Sequence, residues 1–364
     1  MIESASGGSA GVMEMLATHA VGEGHDVDIV YSPDRADLAL IDRLEASGCG
    51  LWPSPMRRAV GLHDFRDGLA LRARIRALKA LDVIHSHSSK AGALARTFGR
   101  RPGAAQIYSP HGFYTMTAQA PFYVGPVERL LSRATDRIVA VSQFEADHAE
   151  SIGIPARKLA VIPNGIEPYA PLPRSEARRA LGLDARAFVI GFVGRFADQK
   201  DPFSAVAVLD HLDGARSFTL AMIGDGELLE PTREKAVAAP AAHRVVLAGS
   251  LPARTLIAAF DCLLCTSRYE GMPVSFLEAL NCGVPIVTYD VGGAAELVAA
   301  PRSGFVTAHD PSAAAHAVNR IAAMSAQERM ALAERCKAAA RHFSANRMGN
   351  ATVALYREVL AAKP

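Results

Sequence analysis

The sequence predicts an α/β protein with two domains, each built on a doubly wound parallel sheet. Short apolar runs alternate with helical patterns in two successive series, and this alternation is typical of parallel sheets covered by helices. Three prolines crowd into the segment between the two series, at Pro168, Pro171 and Pro173. The 364 residues are enough to bury two cores of ordinary size.

The predicted elements follow from apolar periodicity and from helix start and stop signals. The first series has strands at 27–31, 83–85, 105–109, 138–141 and 158–162, with helices at about 10–21, 34–46, 65–80, 90–98 and 124–134. The second has strands at 188–193, 218–223, 245–247, 262–265 and 285–288, and helices close the chain at about 311–324, 326–341 and 345–362. We therefore expect an N-terminal Rossmann-like domain over 1–165, a linker over 166–174, a C-terminal Rossmann-like domain over 175–344 and a final helix over 345–364.

The beginning of the chain is unusual for such a domain. Gly7 and Gly8 form a glycine turn before the first helix, and a turn of this kind connects a strand to a helix and permits close approach of a ligand to the backbone. Residues 1–3 alone are available for that strand. We therefore expect either a truncated first strand or a sequence start that has been placed too late.

The charge of the chain is unevenly distributed. Residues 1–50 carry two basic and nine acidic side chains, whereas residues 51–101 carry eleven basic and three acidic ones. The basic block is either a solvated helix face or a surface attracted to anionic lipid headgroups or to an anionic acceptor. No aromatic residues interleave with these charges in the way that nucleic-acid binding requires, so we expect no nucleic-acid partner.

Five scattered cysteines, an odd number, favour reduced thiols and a cytoplasmic protein. No apolar run reaches the ~20 residues of a membrane-spanning helix, and the N-terminus lacks the pattern of a secretory signal. We expect a protein of the cytoplasm, or one bound peripherally to the inner face of the cytoplasmic membrane.

The most informative stretch begins at the apolar strand 262–265. A polar loop follows the strand, the chain turns at 271–273, and a helix covers 274–281. The free amides at the start of this helix, those of 274–276, would form an anion cradle together with the helix dipole. The residues that we assign to this cradle are Gly271, Met272, Pro273, Val274 and Ser275.

Two carboxylates bracket this cradle, Glu270 before it and Glu278 one helical turn beyond it. Since an ionised carboxylate only accepts hydrogen bonds, this layout suits a ligand with hydroxyls on both sides of a phosphate, such as a nucleotide sugar. The segment resembles the E-x7-E signature of the retaining GT-B glycosyltransferases known as family 4. The alternative is a solvated Glu270 and a helix-face Glu278 on an ordinary Rossmann-like unit.

A second element supports the resemblance. Arg195 and Lys200 lie on the loop after the strand 188–193, following Gly194, and this loop is similar to the G-R-x4-K element of the family. A leaving nucleoside diphosphate gains negative charge in the transition state, and without a metal fixed cations must stabilise that charge. A planar guanidinium and a compact ammonium offer complementary contacts. The alternative is two ordinary surface cations after a strand.

Two glycine-containing segments follow later strands. Gly224-Asp225-Gly226 is similar to the G-x-G segment that lies near the nucleotide in the family, although a plain turn explains it equally well. The segment 288–296 resembles the V-G-G-x-x-E element, to which the resemblance gives a supporting role below the site.

The first domain supplies candidates for the acceptor side. His111 follows a strand and corresponds to a histidine that the family places close to the transferred sugar. His87 and Lys90 follow another strand, in a segment similar to bacterial polysaccharide transferases, and are assigned to the acceptor side. Asn164 and Gly165 resemble the family's hinge, with Glu167 in place of the usual aspartate.

Three patterns could be taken for metal sites. The pair Asp26 and Asp28 flanks a strand start remote from the motifs, and the pair Cys262 and Cys265 lies in an apolar strand without further ligands. His85 and His87 have no carboxylate or third histidine nearby in sequence. We therefore expect no metal and no other cofactor.

The resemblance covers nearly the whole chain and implies a GT-B fold, with two domains that face each other across a cleft and a last helix that returns to the first domain. It implies retaining transfer from a UDP- or GDP-sugar to a glycan or polyprenyl-diphosphate-linked acceptor in cell-surface polysaccharide synthesis. In this assignment Arg195, Lys200, Glu270 and His111 are the catalytic residues. Other GT-B chemistry, such as epimerisation or hydrolysis of a nucleotide sugar, and a non-catalytic sugar-nucleotide-binding paralogue remain alternatives.

Overall fold

The computed structural model of the chain describes residues 8–57, 61–240 and 243–363. The chain divides into two compact units, of which unit 1 consists of Met1–Glu167 and Ser344–Pro364 and unit 2 of Pro168–Phe343. Every strand pair in the described residues of both units is parallel. This confirms the predicted class of two parallel-sheet α/β domains.

The strands form three sheets. Those of unit 1 are β1 (Asp28–Tyr31), β2 (Gly50–Pro53), β3 (Val83–His87), β4 (Ala105–Ser109), β5 (Arg137–Ala140) and β6 (Leu159–Val161), and those of unit 2 are β7 (Phe188–Val193), β8 (Phe218–Ile223), β9 (Arg244–Gly249), β10 (Cys262–Cys265), β11 (Ile286–Tyr289) and β12 (Gly304–Thr307). Unit 1 contains a two-stranded sheet, β1-β2, and a four-stranded sheet in the order β3-β4-β5-β6. Unit 2 contains a six-stranded sheet in the order β12-β11-β10-β7-β8-β9.

The helices fill the connections between these strands. They are α1 (Gly8–Gly22), α2 (Leu38–Ala46), α3 (His63–Ala77), α4 (Ser89–Phe98), α5 (Val124–Ser132), α6 (Gln143–Ser151), α7 (Arg174–Ala180), α8 (Pro202–Ala207), α9 (Leu229–Val237), α10 (Ala253–Leu256), α11 (Val274–Asn281), α12 (Pro311–Ala323), α13 (Ala326–His342) and α14 (Ala345–Ala361). Shorter turns of 3₁₀ helix occur between them, among them Asp198–Lys200, and a π-helical turn spans Ala295–Ala299. In the described part of the chain, no helix has both the length and the apolar composition needed to cross a membrane.

Most predicted elements lie where the sequence placed them, and the differences have local causes. The strands β2 and β12 were not predicted, because each has only four residues and begins at a glycine. The helix α2 begins at Leu38 rather than near residue 34, since the Asp37 side chain accepts a hydrogen bond from the Ala39 amide (3.0 Å) and caps the helix there. Gly8 is the first residue of α1 rather than part of a loop, and Gly7 lies outside the described residues.

The core of unit 2 fixes the neighbourhood of its two central strands. Ile190, Phe192 and Leu264 are buried in one apolar cluster that spans β7 and β10. A Cβ on Gly191 would lie 2.0 Å from the Phe260 ring. Glycine at this position lets the ring pack directly on the β7 backbone, which holds the ends of β7 and β10 side by side.

The last helix of the chain belongs to unit 1. Ile166 and Ser344 form an isolated parallel bridge, and the Ala345 amide donates to the Ile166 carbonyl (3.0 Å). From there α14 packs on α1 and β4. Arg137 Nη2 and Glu358 Oε1 are 2.8 Å apart, which adds an ion pair between β5 and this helix. Unit 1 is therefore built from both ends of the chain.

Candidate active site

The motifs of unit 2 leave adjacent strands at the same edge of its sheet. In a parallel sheet the carboxyl ends of the strands lie together, and the loops after β11, β10, β7 and β8 follow this spatial order. The chain runs outward from β7 to β8 and β9 in one direction and from β10 to β12 in the other. The point where this order reverses, between β7 and β10, is where doubly wound sheets bind ligands.

An ion pair joins the two loops at this reversal point. Lys200 Nζ, after β7, lies 2.6 Å from Glu270 Oε1, after β10, and the two side chains expose 20% and 8% of their surface. Burial lowers the pKa of Lys200, but the interactions with Glu270 and Cys265 together more than compensate, so that this pKa lies above its ordinary value. The Lys200 ammonium is therefore held in its charged form next to Glu270 at the sheet edge.

Backbone and side-chain contacts hold these two loops together. Thr266 Oγ1 is buried and donates to the carbonyls of Lys200 (3.1 Å) and Asp201 (2.8 Å). Arg268 Nη2 lies 3.2 Å from Asp201 Oδ2, and the Arg268 amide donates to the Gln199 carbonyl (2.8 Å). These contacts fix the position of Lys200 relative to Glu270.

Asp201 is also the N-cap of α8. Its backbone has φ 45° and ψ 65°, a left-handed conformation that is uncommon for a residue other than glycine. Its side chain caps α8 by accepting from the Ser204 amide (3.1 Å) and from Ser204 Oγ (3.0 Å). Asp201 was not singled out from the sequence, although an aspartate directly before Pro202 is a helix-start signal.

Arg195 presents a cation without an internal partner. Its side chain is exposed, and within the described residues it forms neither a hydrogen bond nor an ion pair. The next residue, Phe196, is buried, and its amide donates to the Asp225 carbonyl (2.9 Å). The backbone around Arg195 is thus held while its guanidinium is available to a ligand.

The start of α11 differs in one respect from the predicted anion cradle. Pro273 is the N-cap of the helix, with φ −65° and ψ 125°, so the helical residues begin at Val274. The Phe276 amide donates to the Pro273 carbonyl (3.1 Å), and this bond removes it from the cradle. The expectation that three amides face the ligand is therefore wrong for Phe276, and Val274 and Ser275 supply the two that the described fold does not use.

Glu278 lies in a half-buried position on α11. Burial raises the pKa of its carboxyl to about 7, while the Arg254 guanidinium acts in the opposite direction. Arg254 lies 4.1 Å from the centroid of the Tyr169 ring, and Asn281 Nδ2 donates to the Tyr169 carbonyl (3.1 Å). Arg254 and Tyr169 stand in no recognisable motif, so their place next to Glu278 emerges only from the fold.

The glycine segments after β8 and β11 pack against the backbone of the loops after β7 and β10. A Cβ on Gly224, which has φ 146°, would lie 1.9 Å from the Gly194 carbonyl oxygen, and one on Gly226 would lie 2.4 Å from the Phe196 carbonyl oxygen. Gly292 has the same relation to the Glu270 carbonyl, at 2.4 Å. These glycines allow backbone to pack directly against the loops that carry Arg195 and Glu270.

The remaining residues of the predicted cradle are buried beside these glycines. The Gly293 amide donates to the Gly271 carbonyl (2.9 Å). Met272 exposes only 5% of its surface, and its Cε would lie 3.2 Å from a Cβ on Gly293. Gly271 and Met272 thus connect the segment after β11 with the turn that leads into α11.

In unit 1 the structure brings three histidines together. His87 Nδ1 and His111 Nε2 are 2.9 Å apart, and the rings of His85 and His87 are 4.2 Å apart between centroids. His85 also hydrogen-bonds Ser109 Oγ (2.7 Å) and the Tyr356 hydroxyl of α14 (2.5 Å). The third histidine that was missing from the sequence neighbourhood of His85 and His87 is therefore His111.

His111 is electrically neutral and conformationally unusual. Burial lowers its pKa to about 4, and the pKa of His87 is likewise well below its usual value. The backbone of His111 has φ 55°, and its Nδ1 is buried without a hydrogen-bond partner in the described part of the chain. An unused polar atom on a strained residue at a strand end is typical of a functional position.

Glu145 holds the loop that carries His111. Ser142 and Glu145 have the spacing of a capping box, of which one half is formed: Ser142 Oγ accepts from the Glu145 amide (3.1 Å). The Glu145 carboxylate instead accepts from the amides of Val141 (2.7 Å) and Gly112 (2.5 Å). Glu145 is fully buried, and burial raises its pKa to about 7 although both amide bonds lower it. Its role as a support for His111 could not be seen in the sequence because residue 112 is distant along the chain.

The other residues predicted in unit 1 have internal contacts. Lys90 is buried, and its Nζ lies 2.7 Å from Asp64 Oδ1. Asn164 is buried. A Cβ on Gly165 would lie 2.6 Å from the Ser344 carbonyl oxygen, so Gly165 permits close packing against the start of α14.

The other two patterns weighed as metal sites have structural roles. Asp28 Oδ1 accepts a hydrogen bond from Trp52 Nε1 (2.6 Å). Cys262 and Cys265 are buried in the core, where burial raises the pKa of both thiols.

Comparison with known families agrees with this architecture. Residues 173–343 match the family described as Glycosyl transferases group 1, and residues 6–169 match Glycosyltransferase Family 4. The D-inositol 3-phosphate glycosyltransferase of Actinosynnema mirum is 32% identical over 76% of this chain and 72% of that protein. The fold and these matches define a glycosyltransferase of the GT-B class. Within that class, the chain belongs to the group 1 (family 4) glycosyltransferases.

Other relatives differ in their acceptors. A UDP-Gal:alpha-D-GlcNAc-diphosphoundecaprenol alpha-1,3-galactosyltransferase of Escherichia coli is 27% identical over 62% of both chains. The 2-deoxystreptamine N-acetyl-D-glucosaminyltransferase of Streptomyces fradiae is 34% identical, and the chain spans only 44% of its length. The Anabaena protein HepE, solved with UDP and glucose, has a TM-score of 0.81 at 20% identity and 98% coverage of both chains, which shows the common fold.

Proposed function

We propose that this chain transfers a sugar from a UDP- or GDP-sugar to a polyprenyl-diphosphate-linked glycan acceptor, with retention of anomeric configuration and without a metal or other cofactor. The observation that carries the proposal is the preorganised pair of loops in unit 2. In these loops Lys200 Nζ lies 2.6 Å from Glu270 Oε1 at the point where the strand order reverses, and Arg195 is exposed on the same loop as Lys200.

In the proposed reaction the bond between the anomeric carbon and the diphosphate oxygen breaks, and its electron pair leaves with the nucleoside diphosphate. The acceptor hydroxyl forms the new bond to the same face of the anomeric carbon, and its proton passes to the departing diphosphate. Arg195 and Lys200 stabilise the charge that grows on this leaving group, with the amides of Val274 and Ser275.

The carboxylates bind hydroxyls on either side of the diphosphate. Glu278 accepts hydrogen bonds from the ribose, and Glu270 accepts them from the donor sugar while it keeps Lys200 in place. For His111 we propose the position beside the transferred sugar that the family resemblance implies. As a neutral imidazole it offers Nδ1 for a hydrogen bond without adding charge.

The lipid-linked acceptor is supported by the relative from Escherichia coli, whose name specifies a diphosphoundecaprenol-linked substrate. An acceptor of this kind places the enzyme in cell-surface polysaccharide biosynthesis, in the cytoplasm and peripherally at the inner face of the membrane. The retaining mechanism rests on the family resemblance of the E-x7-E and G-R-x4-K elements.

A second candidate is transfer to a small polar acceptor. The relatives from Actinosynnema mirum and Streptomyces fradiae are named for D-inositol 3-phosphate and 2-deoxystreptamine, which carry no lipid in those names. Release of UDP or GDP from a panel of sugar donors distinguishes the two candidates when it is measured with isolated membranes and, separately, with inositol phosphate and aminocyclitol acceptors. Stimulation by membranes alone supports the lipid-linked acceptor, whereas stimulation by a soluble cyclitol alone replaces it.

The catalytic assignment is tested by Arg195→Ala and Lys200→Ala. Loss of one cation from a preorganised site should lower kcat by about 10²- to 10³-fold, with the protein still folded by circular dichroism. Lys337→Ala is the matched control, because Lys337 Nζ is also ion-paired, to Glu334 Oε1 at 3.0 Å, but on α13. Wild-type turnover of Arg195→Ala, or loss of wild-type turnover in EDTA, would contradict the proposal.

A further inference from the structure

One face of unit 1 is formed by a layer of three helices, α3, α4 and α5. The helix α4 lies between the other two. On one side, Gly68 of α3 packs so closely that a Cβ would lie 2.3 Å from the Phe98 ring. On the other side, Arg96 and Glu128 of α5 form a buried ion pair with Nη1 and Oε2 2.8 Å apart. Because the helices form one layer, their outward surfaces belong to the same side of the unit.

The outward surface of α3 is unusually apolar. Leu62, Phe65 and Leu69 are 97%, 63% and 45% exposed, and their spacing of three and four residues places them in one stripe along the helix. The opposite stripe, with Leu71 and Ile75, is buried against the domain core. The helix α3 therefore has an apolar face for the core and a second one that the described residues of unit 1 leave exposed.

The outward surface of α5 repeats this arrangement. Phe122 lies two residues before the helix and is 92% exposed, and Tyr123 at the N-cap, Val127 and Leu130 are 55%, 44% and 59% exposed. The last three recur at intervals of four and three residues, so they also share one helix face. Exposed apolar side chains that gather on one side of a domain mark an interaction surface, whereas isolated ones do not.

The charges on this surface have one sign. Arg66 and Arg72 of α3, together with Arg129 and Arg133 around the end of α5, are exposed. The acidic residues of the three helices are turned inward or paired: Asp64 with Lys90, Glu128 with Arg96, and Asp67, which is 1% exposed. The apolar stripes are thus surrounded by cations.

A hollow opens beside the end of α5. It has a volume of about 670 Å³, and Arg129, Arg133, Leu130 and Ile152 contribute to its lining. Two guanidiniums next to apolar side chains match the junction of a phosphate headgroup and an acyl chain.

We propose that this face, defined by the outward residues of α3 and α5, docks unit 1 on an anionic lipid bilayer. The exposed leucines and aromatic rings would enter the region between headgroups and acyl chains, and the arginines would contact lipid phosphates. Two other occupants fit this face less well. A second copy of the chain that used the same face would bring cations against cations, and a nucleic acid would leave the apolar stripes uncovered. The inference rests on the proposed function only in that a lipid-linked acceptor lies in a membrane.

Vesicle flotation of the full chain tests the proposal. We expect binding to vesicles of phosphatidylcholine with phosphatidylglycerol, weak binding to phosphatidylcholine alone, and a decrease in binding at high salt. The double variant Leu62→Ser/Phe122→Ser should bind the anionic vesicles at least about tenfold more weakly. Arg129→Gln/Arg133→Gln should reduce the preference for anionic over neutral vesicles.

Matched controls exclude a general effect of surface hydrophobicity. Leu38, on α2, is 76% exposed, and Val237, on α9 of unit 2, is 85% exposed. Leu38→Ser and Val237→Ser should bind vesicles like the wild type. All variants should keep the melting temperature and the nucleotide release of the wild type in detergent-free solution.

Equal vesicle binding by wild type and Leu62→Ser/Phe122→Ser would overturn the proposal. The proposal would also be overturned if the wild type formed dimers that the double variant abolishes. The same holds if a single-stranded oligonucleotide displaced the protein from vesicles. If the protein binds vesicles but turns over no sugar donor, the proposed function fails and the docking proposal stands.

Discussion

At the scale of the residue, Glu278 shows how burial sets the protonation of a carboxylate, with different consequences for ligand binding and for stability. Its pKa of about 7 comes chiefly from burial, and Arg254 reduces the shift without abolishing it. As the donor-binding residue that we propose, Glu278 must be ionised to accept hydrogen bonds from both ribose hydroxyls. Its environment thus sets the pH range in which the donor binds well.

The first prediction concerns the affinity for UDP or GDP. Between about pH 6 and pH 8 the carboxyl of Glu278 loses its proton, so binding should strengthen as pH rises through 7. Glu278→Gln should bind more weakly and should lose this pH dependence. Isothermal titration calorimetry at several pH values measures both effects, and a wild-type pH slope in the variant would contradict the assignment.

For the stability of the folded protein, Glu278 predicts the opposite pH dependence: stability decreases as pH rises, whereas nucleotide binding strengthens. The pKa of Glu278 is higher in the folded protein than its ordinary value of 4.5, so the folded state binds more protons between these two values. Its contribution to stability is therefore greatest at low pH, decreases as pH rises towards 7, and stays unfavourable above it. Glu278→Gln should accordingly unfold at the same or higher urea concentration than the wild type at pH 8. A clear loss of stability would show that the carboxylate has a structural role.

At the scale of the element, the loops of unit 2 depend on glycines in neighbouring strand ends. Gly224 and Gly226 have φ values of 146° and 152°, and both face backbone carbonyls of the loop with Arg195. The sequence predicted that a glycine segment follows β8. It did not reveal that this segment supports the neighbouring loop, because the contact joins residues that are about thirty positions apart.

The element-scale prediction is that Gly224→Ala displaces the Arg195 loop. A Cβ 1.9 Å from the Gly194 carbonyl oxygen cannot be accommodated without movement of the backbone. The free energy of unfolding should fall by about 2–4 kcal/mol, from overpacking and left-handed strain together, and kcat should fall with it. Urea denaturation and nucleotide release provide the measurements.

Gly214→Ala is the control for this variant. Gly214 lies in a turn of the same unit with nothing within 4 Å of the position of an added Cβ, and its φ is not positive. Its substitution should change the free energy of unfolding by less than about 1 kcal/mol. Equal behaviour of the two variants would mean that the contact between Gly224 and Gly194 does not position the loop.

At the scale of the whole molecule, the two units differ in how the chain builds them. Unit 2 is one continuous segment, whereas unit 1 needs α14 from the other end of the chain. The helix α14 buries Met348, Val353 and Val359, and its Tyr356 hydroxyl contacts His85 next to the predicted histidine site. The end of the chain thus supports both the core and the candidate site of unit 1.

We therefore expect removal of residues 344–364 to destabilise unit 1 selectively. Each fully buried Val, Leu or Met side chain lost from a core removes about 1.5–3 kcal/mol. Trp52, the single tryptophan of the chain, lies in β2 and reports on unit 1 alone. Its fluorescence transition in urea should move to lower concentration or disappear.

The isolated segment 168–343 should still fold, with a cooperative transition in circular dichroism, since unit 2 contains its own core. An unchanged Trp52 transition in the truncated chain would show that unit 1 is stable without α14.

The sequence alone predicted a large part of this protein because the signals involved are local. Alternating apolar runs and helix signals located ten of the twelve strands of the described chain. The motifs that follow β7 and β10 supplied Arg195, Lys200, Glu270 and Glu278 as candidate site residues. Parallel topology then requires that residues following adjacent strands lie at one edge, so their proximity could also be inferred. The family resemblance extended this inference to the activity.

The tertiary structure decided the contacts between residues that are remote in sequence, and with them the protonation states. The pairing of Lys200 with Glu270, the meeting of His87 and His111, and the support of Gly112 by Glu145 depend on which loops the sheet order places side by side. The same holds for the pKa of Glu278, because burial is a property of the packed fold. Local sequence determines which elements form, whereas packing determines which polar groups lose water and which partners they find.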